Sequence, residues 1–144
     1  MTILNGAIWW WRGSKYRQRD PSLTEGYRSL VRGFVTWCNI PWLIMGAGIL
    51  FGGVPSVFHY LNPRYPNPFV AAFFGSIFFL WAASTYWLFA RDGAEQLARH
   101  PGFVQPPVNS PLLIKTFFVL CLAGGVAGIT AMFIVQFQPP PFLE

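Results

Sequence analysis

The chain has 144 residues, of which 53% are hydrophobic, 19% aromatic and only 10% charged. Ordinary soluble domains carry about 25% charged residues, so this composition leaves too few ionic side chains to cover a water-soluble surface. The formal net charge of +5 is explained by an N-terminal basic segment with tryptophans, and we therefore predict no nucleic-acid partner.

The first predicted element is an N-terminal arm, residues 1–33, in which three consecutive tryptophans precede a run of cations. Tryptophan prefers the headgroup layer, where its ring is apolar and its N–H meets a partner. Lysine and arginine near anionic lipids gain about 1 kcal/mol each. We therefore predict an interfacial anchor on the cytoplasmic face, and the alternative is a docking arm for an acidic protein or nucleic acid. The anchor residues are Trp9, Trp10, Trp11, Arg12, Lys15, Arg17 and Arg19.

Three long stretches without Asp, Glu, Lys or Arg follow: residues 33–63, 65–90 and 116–143. A hydrocarbon core of about 30 Å needs roughly 20 apolar residues as a helix. The sequence predicts spans at residues 34–58, 69–90 and 112–137, within one transmembrane domain of residues 34–137. Buried helices of a soluble protein are the alternative, but three of them in so short a chain would remain uncovered. The predicted fold class is an all-α integral membrane protein with three transmembrane helices.

Local signals refine these spans. Ser110 is a good N-cap and Pro111 fits the first helical turn, which together define the start of the third span. Pro41 predicts a kink near the start of the first span, with Asn39 or Thr36 satisfying the carbonyl that it frees.

The cations predict one orientation, because Lys and Arg accumulate on the cytoplasmic side. Six of them precede the first span, only Arg64 lies between the first two spans, and Arg91 and Arg99 lie between the second and third. We predict a cytoplasmic N-terminus, residues 59–68 outside, residues 91–111 cytoplasmic and the C-terminus outside. The proline-rich residues 138–144 are predicted to form an extended, solvated outer tail. We predict a multi-pass protein of a bacterial inner (cytoplasmic) membrane.

Glycines at close-packing spacing mark two spans. Gly48 and Gly52 form one G-x-x-x-G pattern, Gly124 and Gly128 form another, and Gly75 lies in the second span. Such glycines let helices approach closely in lipid. Two interpretations remain open: the ridges pack the spans of one chain together, or one ridge contacts a neighbouring protein.

Few residues offer cofactor chemistry. His59 is the one candidate ligand, as an axial ligand of a haem or chlorin or a hydrogen-bond partner of a quinone, and its alternative is an interfacial histidine. His100 is predicted on the opposite membrane face, which excludes a bis-histidine site in one subunit. Cys38 and Cys121 have no ligand spacing and are read as reduced packing residues. We therefore predict no bound cofactor or metal, structural lipids, and contact with haem, chlorin or quinone only with a partner's help.

The second connection resembles a soluble segment. Asp92 to Arg99 is predicted as a short amphipathic helix in which Glu95 and Arg99 pair at i, i+4, and His100-Pro101-Gly102 ends it. No nucleotide-binding loop, nucleophile motif or carboxylate pair is visible, and the chain is not predicted to be an enzyme.

Together these features predict a non-catalytic accessory or scaffold subunit of a larger membrane complex, with electron transfer as one candidate process because of the aromatic surface and His59. Its partners would be the lipid bilayer and other membrane subunits, a hetero-complex being favoured over a homo-oligomer. The alternative is a small homo-oligomeric channel or transporter, lined by Asn39, Ser76, Ser84 and Thr130. A third interpretation is a cofactor-binding membrane subunit that uses His59.

Overall fold

The computed structural model describes residues 2–103 and 110–135, and these are helical with short connections and no strand. The predicted outer tail, residues 138–144, and the last two residues of the predicted third span lie outside the described residues. The described α-helices are α1 (Thr2–Arg12), α2 (Ser14–Arg19), α3 (Thr24–Trp37), α4 (Ile40–Phe51), α5 (Pro68–Ala90), α6 (Gly93–Arg99) and α7 (Pro111–Val135), and the 3-10 helices are Pro21–Leu23 and Val57–Leu61.

Among the described residues, three helical stretches are long and apolar enough to cross a membrane. They are Pro21–Phe51, Pro68–Ala90 and Pro111–Val135. This result confirms the all-helical class and the number of candidate spans. It indicates a membrane protein, while the orientation and the identity of the membrane stay predictions.

The first candidate span differs from its predicted bounds at both ends. It includes α3, whose amphipathic turns begin at Thr24, and α4 ends at Phe51 rather than at residue 58. Gly53 adopts a left-handed φ of +65°, a conformation that glycine allows and that stops a helix. Pro55 follows and cannot continue the regular hydrogen bonding.

A break between α3 and α4 lies where the proline predicts one. Residues 38 and 39 form a turn before α4 starts at Ile40, because Pro41 has no N–H to continue the ladder. The amide of Asn39 donates to the carbonyl of Val35 over 2.5 Å. Val35 is six residues before Pro41, so the carbonyl that Asn39 bonds is not the one predicted, which lies four residues before the proline.

Residue contacts divide the chain into two compact units. The first unit comprises Met1–Asn39 and Ala82–Leu120. Its hydrophobic cluster is built on Leu88, Ala94 and Ile114, and Tyr27 is completely buried. This unit therefore contains the N-terminal arm and the connection that follows α5.

The second unit comprises Ile40–Trp81 and Cys121–Glu144. Its cluster consists of the buried residues Val54, Tyr60, Val70 and Phe74. Asn67 begins α5: its carbonyl oxygen Oδ1 accepts the N–H of Phe69 over 2.9 Å, a capping arrangement. Its amide also donates to the carbonyl of Gly52 over 2.8 Å and so satisfies the C-terminal end of α4.

Candidate functional site

Within the N-terminal arm, helix α1 folds back on α3. The hydroxyl of Thr2 donates to Asn39, at the end of α3, while Gly13 packs against the ring of Tyr27 near its start. Helix α1 is therefore antiparallel to α3. Gly6 lies between them, and a Cβ at this position would come within 2.6 Å of Val35 Cγ2.

The three tryptophans of the arm have three different environments. Trp9 turns inward, with its ring centroid 4.1 Å from that of Phe34 and 5.0 Å from that of Phe103. Trp10 lies under the guanidinium of Arg17, whose Cζ is 3.3 Å from the ring centroid. Trp11 is 73% exposed. Trp10 and Trp11 are therefore the exposed members of the three, whereas Trp9 is half-buried and helps to hold the arm in place.

The cations of the arm also divide by environment. Arg17 donates to the backbone carbonyl of Trp10 over 2.9 Å and so forms part of the folded arm. Lys15 and Arg19 are exposed, and Arg12 is half-buried. Six cations stand against two carboxylates in residues 1–33, so the field around the arm is strongly positive and suits an anionic surface.

A buried histidine connects α3 to the segment after α6. His100 is only 8% exposed, and its ring occupies the space that a side chain at Gly26 would need. Its Nδ1 lies 2.6 Å from the carbonyl oxygen of Gln96, and a carbonyl can only accept, so Nδ1 carries the proton. Tyr27 packs edge-on against the same ring at 4.9 Å and donates its hydroxyl to the carbonyl of Pro101 over 2.6 Å.

The short helix α6 is fixed to α7 by an ion pair. Lys115 Nζ lies 3.1 Å from Glu95 Oε1, with side-chain exposures of 27% and 35%. A hydrogen bond from the backbone N–H of Glu95, and then the one from Lys115, hold the pKa of the Glu95 carboxyl below its ordinary value. The predicted pair of Glu95 with Arg99 is therefore replaced by a contact with α7.

His59, the predicted candidate ligand, is 8% exposed and lies in the 3-10 helix Val57–Leu61. Its Nδ1 is 3.0 Å from Ser56 Oγ, and its ring meets Tyr65 edge-on at 4.7 Å. Beside it in sequence, Tyr60 donates to the carbonyl of Met45 over 3.2 Å, and burial raises the pKa of this phenol. His59 is thus held by a serine and a tyrosine from its own loop.

The two glycine ridges have different surroundings. Tyr60 and Phe69 occupy the space that side chains at Gly48 and Gly52 would fill, so the ridge of α4 packs against its own chain. A Cβ at Gly124, Gly128 or Gly75 would meet nothing within 4 Å. On α7 the glycine that packs internally is Gly125, where a Cβ would lie 2.6 Å from Trp81.

Several of these contacts were not predicted from the sequence. Tyr27, Gly26 and His100 lie far apart along the chain, and no local pattern connects them. Asn67 carried a usable signal, because an asparagine followed by proline is favourable at a helix N-terminus. Lys115 was also noticeable as a lone cation at the start of an apolar helix, where a carboxylate partner is the expected reason.

Metal ligation has no visible centre in the part of the chain that the structure describes: residues 2–103 and 110–135 contain no group of three His, Cys, Asp or Glu side chains that could hold an ion. Cys38 and Cys121 are free thiols, half-buried and exposed respectively.

Comparison with known proteins gives no match to a protein family, a curated protein or a solved structure.

Proposed function

We propose that this chain is a non-catalytic accessory or scaffold subunit of a larger complex in a bacterial inner membrane. The observation that supports it is how little of each candidate span its own chain covers. We consider the most apolar 18-residue window of each stretch. The buried share of that window is 6% in Pro21–Phe51, 11% in Pro68–Ala90 and 0% in Pro111–Val135. Helices with so much free apolar surface are suited to packing against other membrane helices as well as lipid.

The glycine ridge of α7 supports the same proposal. Gly124 and Gly128 are exposed, and a Cβ at either would meet no atom of another described element within 4 Å. Glycines spaced by four residues allow a second helix to approach closely. The ridge of α4 is filled by Tyr60 and Phe69, so α7 carries the surface that we assign to a partner subunit.

The polar residues in the spans favour a packing role over a conducting one. Ser76 donates to the carbonyl of Phe73 over 2.7 Å, and Thr130 donates to that of Val126 over 2.8 Å. Asn39 is bonded to Thr2 and Val35. Each of these side chains already has a hydrogen-bond partner in its own unit. None of them therefore requires a polar path shared between several copies of the chain.

Native purification tests the proposal. We expect the full chain, extracted in mild detergent from its own cells, to come with stoichiometric subunits of different mass. An assembly that contains only copies of this chain would contradict the proposal in favour of a homo-oligomer. A visible absorption spectrum of the same preparation tests electron transfer as the candidate process, since we expect the bands of a haem or chlorin held by the partners, and a colourless preparation would contradict either.

Matched glycine variants test the proposed surface. Gly124→Leu should release the partner while leaving the unfolding temperature of the isolated chain within about 2 °C, because its site is open. Gly75→Leu, also at an open glycine but on α5, serves as the control and should retain the partner. Equal retention by all three chains would contradict the assignment of α7 as the contact surface.

A further inference from the structure

An open groove of about 500 Å³ lies between α1 and α3 in the first unit. Its walls are apolar: Ile3 and Ala7 come from α1, and Val31 and Val35 come from α3. Gly6 brings the two backbones close at its floor. Arg28 and Arg32 line the groove as well.

Helical spacing places the groove residues of α3 on one face of the helix. Arg28, Val31, Arg32 and Val35 follow the i, i+3, i+4, i+7 pattern of one helix face. Along α3 the first lining residue is Arg28 and the last is Val35, about 10 Å further on, with Val31 and Arg32 between them, so the two ends of the groove are cationic and apolar. Its apolar end lies at the part of α3 that leads into the uncharged residues 33–63. Its cationic end lies toward the start of α3 at Thr24.

Both arginines can accept an anion. Arg32 is exposed and forms no ion pair with a residue that the structure describes. Arg28 contacts Glu25 at 2.6 Å, but the two side chains are 63% and 79% exposed. Such an exposed ion pair is weak, so a phosphate that is bound by two arginines competes with it.

We propose that this groove binds one anionic phospholipid, with its phosphate at Arg28 and Arg32 and the upper part of an acyl chain along Ile3, Ala7, Val31 and Val35. Charge complementarity favours this occupant, because a phospholipid carries its anion and its apolar chain in the same order as the groove. The exposed Trp10 ring, which also lines the groove, suits the headgroup level. The lipid would hold α1 against α3, whether or not the chain is an accessory subunit.

Native mass spectrometry of the full-length protein in mild detergent tests this site. We expect one phosphatidylglycerol to be retained in preference to phosphatidylcholine with the same acyl chains. Arg28→Gln/Arg32→Gln should reduce this retention about tenfold or more, since each arginine contributes about 1 kcal/mol. The control is Arg64→Gln/Arg91→Gln, which removes two exposed cations elsewhere and should leave retention within about twofold. An equal loss in both variants would show nonspecific attraction to the basic protein and would overturn the proposal.

A second pair of variants tests the groove with its charges intact. Ala7→Phe fills the apolar part and should reduce phosphatidylglycerol retention, whereas Asn5→Phe, on an exposed position of α1 outside the groove, should not. Both positions are exposed, so thermal unfolding should remain that of the native chain. Unchanged retention in Ala7→Phe, or a groove that proves to be occupied by a second copy of the chain, would refute the lipid assignment.

Discussion

At the scale of single residues, glycines in this protein act as space for large side chains from elsewhere in the chain. His100 fills the space beside Gly26, and Tyr60 fills the space beside Gly48. In both cases the ring comes from a residue beyond the end of the glycine's own helix. The glycine is therefore required for packing between elements, and its left-handed freedom is not used there.

The two glycines of α3 give a matched test of this role. Gly26→Ala should destabilise the protein by about 1–3 kcal/mol, because a Cβ would overlap the buried ring of His100. Gly33→Ala should be neutral or stabilising by up to about 1 kcal/mol, since its site is open and alanine favours a helix.

Thermal unfolding in one detergent, followed by tryptophan fluorescence, measures both variants. Equal stability of the two would contradict the packing of His100 against Gly26. A Gly26→Ala/His100→Ala double variant should recover part of the loss, because the ring that causes the overlap is absent.

At the scale of elements, α6 is positioned by an ion pair with α7 and not by an ion pair between two of its own side chains. Glu95 and Arg99 have the spacing of a helical ion pair, yet Glu95 pairs with Lys115. An isolated cation at the start of an apolar helix gains more from a nearby carboxylate than a solvated arginine does. The sequence shows all three charges, but their pairing depends on where α7 begins relative to α6.

This pair predicts a pH dependence. The folded-state pKa of Glu95 lies below its ordinary value of 4.5, so its contribution to stability is fully present above the unfolded-state pKa. That contribution is lost as the pH falls through the folded-state pKa. We expect the unfolding temperature of the native chain to fall from pH 6 to pH 3 more than that of Glu95→Gln.

The comparison is made in one detergent and at constant ionic strength. Arg99→Gln serves as the control and should keep the pH dependence of the native chain, because Glu95 retains both of its main hydrogen bonds. Parallel pH profiles for the native chain and Glu95→Gln would contradict the assigned role of the pair.

At the scale of the whole molecule, the distribution of cations along the chain predicts the membrane orientation. Four cations precede the first candidate span, two more, Arg28 and Arg32, lie in its first turns, and one, Arg64, lies between the first and second spans. The segments that flank a span on its cytoplasmic side carry the excess of arginine and lysine. The chain should therefore expose the Val57–Leu61 segment outside and α6 to the cytoplasm.

Cysteine labelling in intact bacteria checks this orientation. In a Cys38→Ser/Cys121→Ser background, Val57→Cys should react with a membrane-impermeant maleimide without permeabilisation. Gln96→Cys should react only after the membrane is permeabilised. Both positions are exposed in the folded chain, so burial does not account for a difference. The reverse labelling pattern would contradict the predicted orientation.

The sequence by itself determined two kinds of feature. Composition over about 20 residues determined the helical class and the three candidate spans, and a single proline determined the break near Pro41. Bilayer thickness and the missing proline N–H are local constraints, and they act the same way in any tertiary structure. Even so, the last helical residue of the first span depended on Gly53 and its left-handed backbone.

Only the tertiary structure decided which side chains meet. It placed Trp9 inside and Trp11 outside, filled the glycine ridge of α4 while leaving that of α7 open, and joined His100 to α3. These outcomes depend on the packing of bulky groups that are far apart in the chain, and short-range spacing carries no information about such contacts. The sequence predicts that the arm is an interfacial anchor, and the structure adds that the arm is a folded part of the first unit.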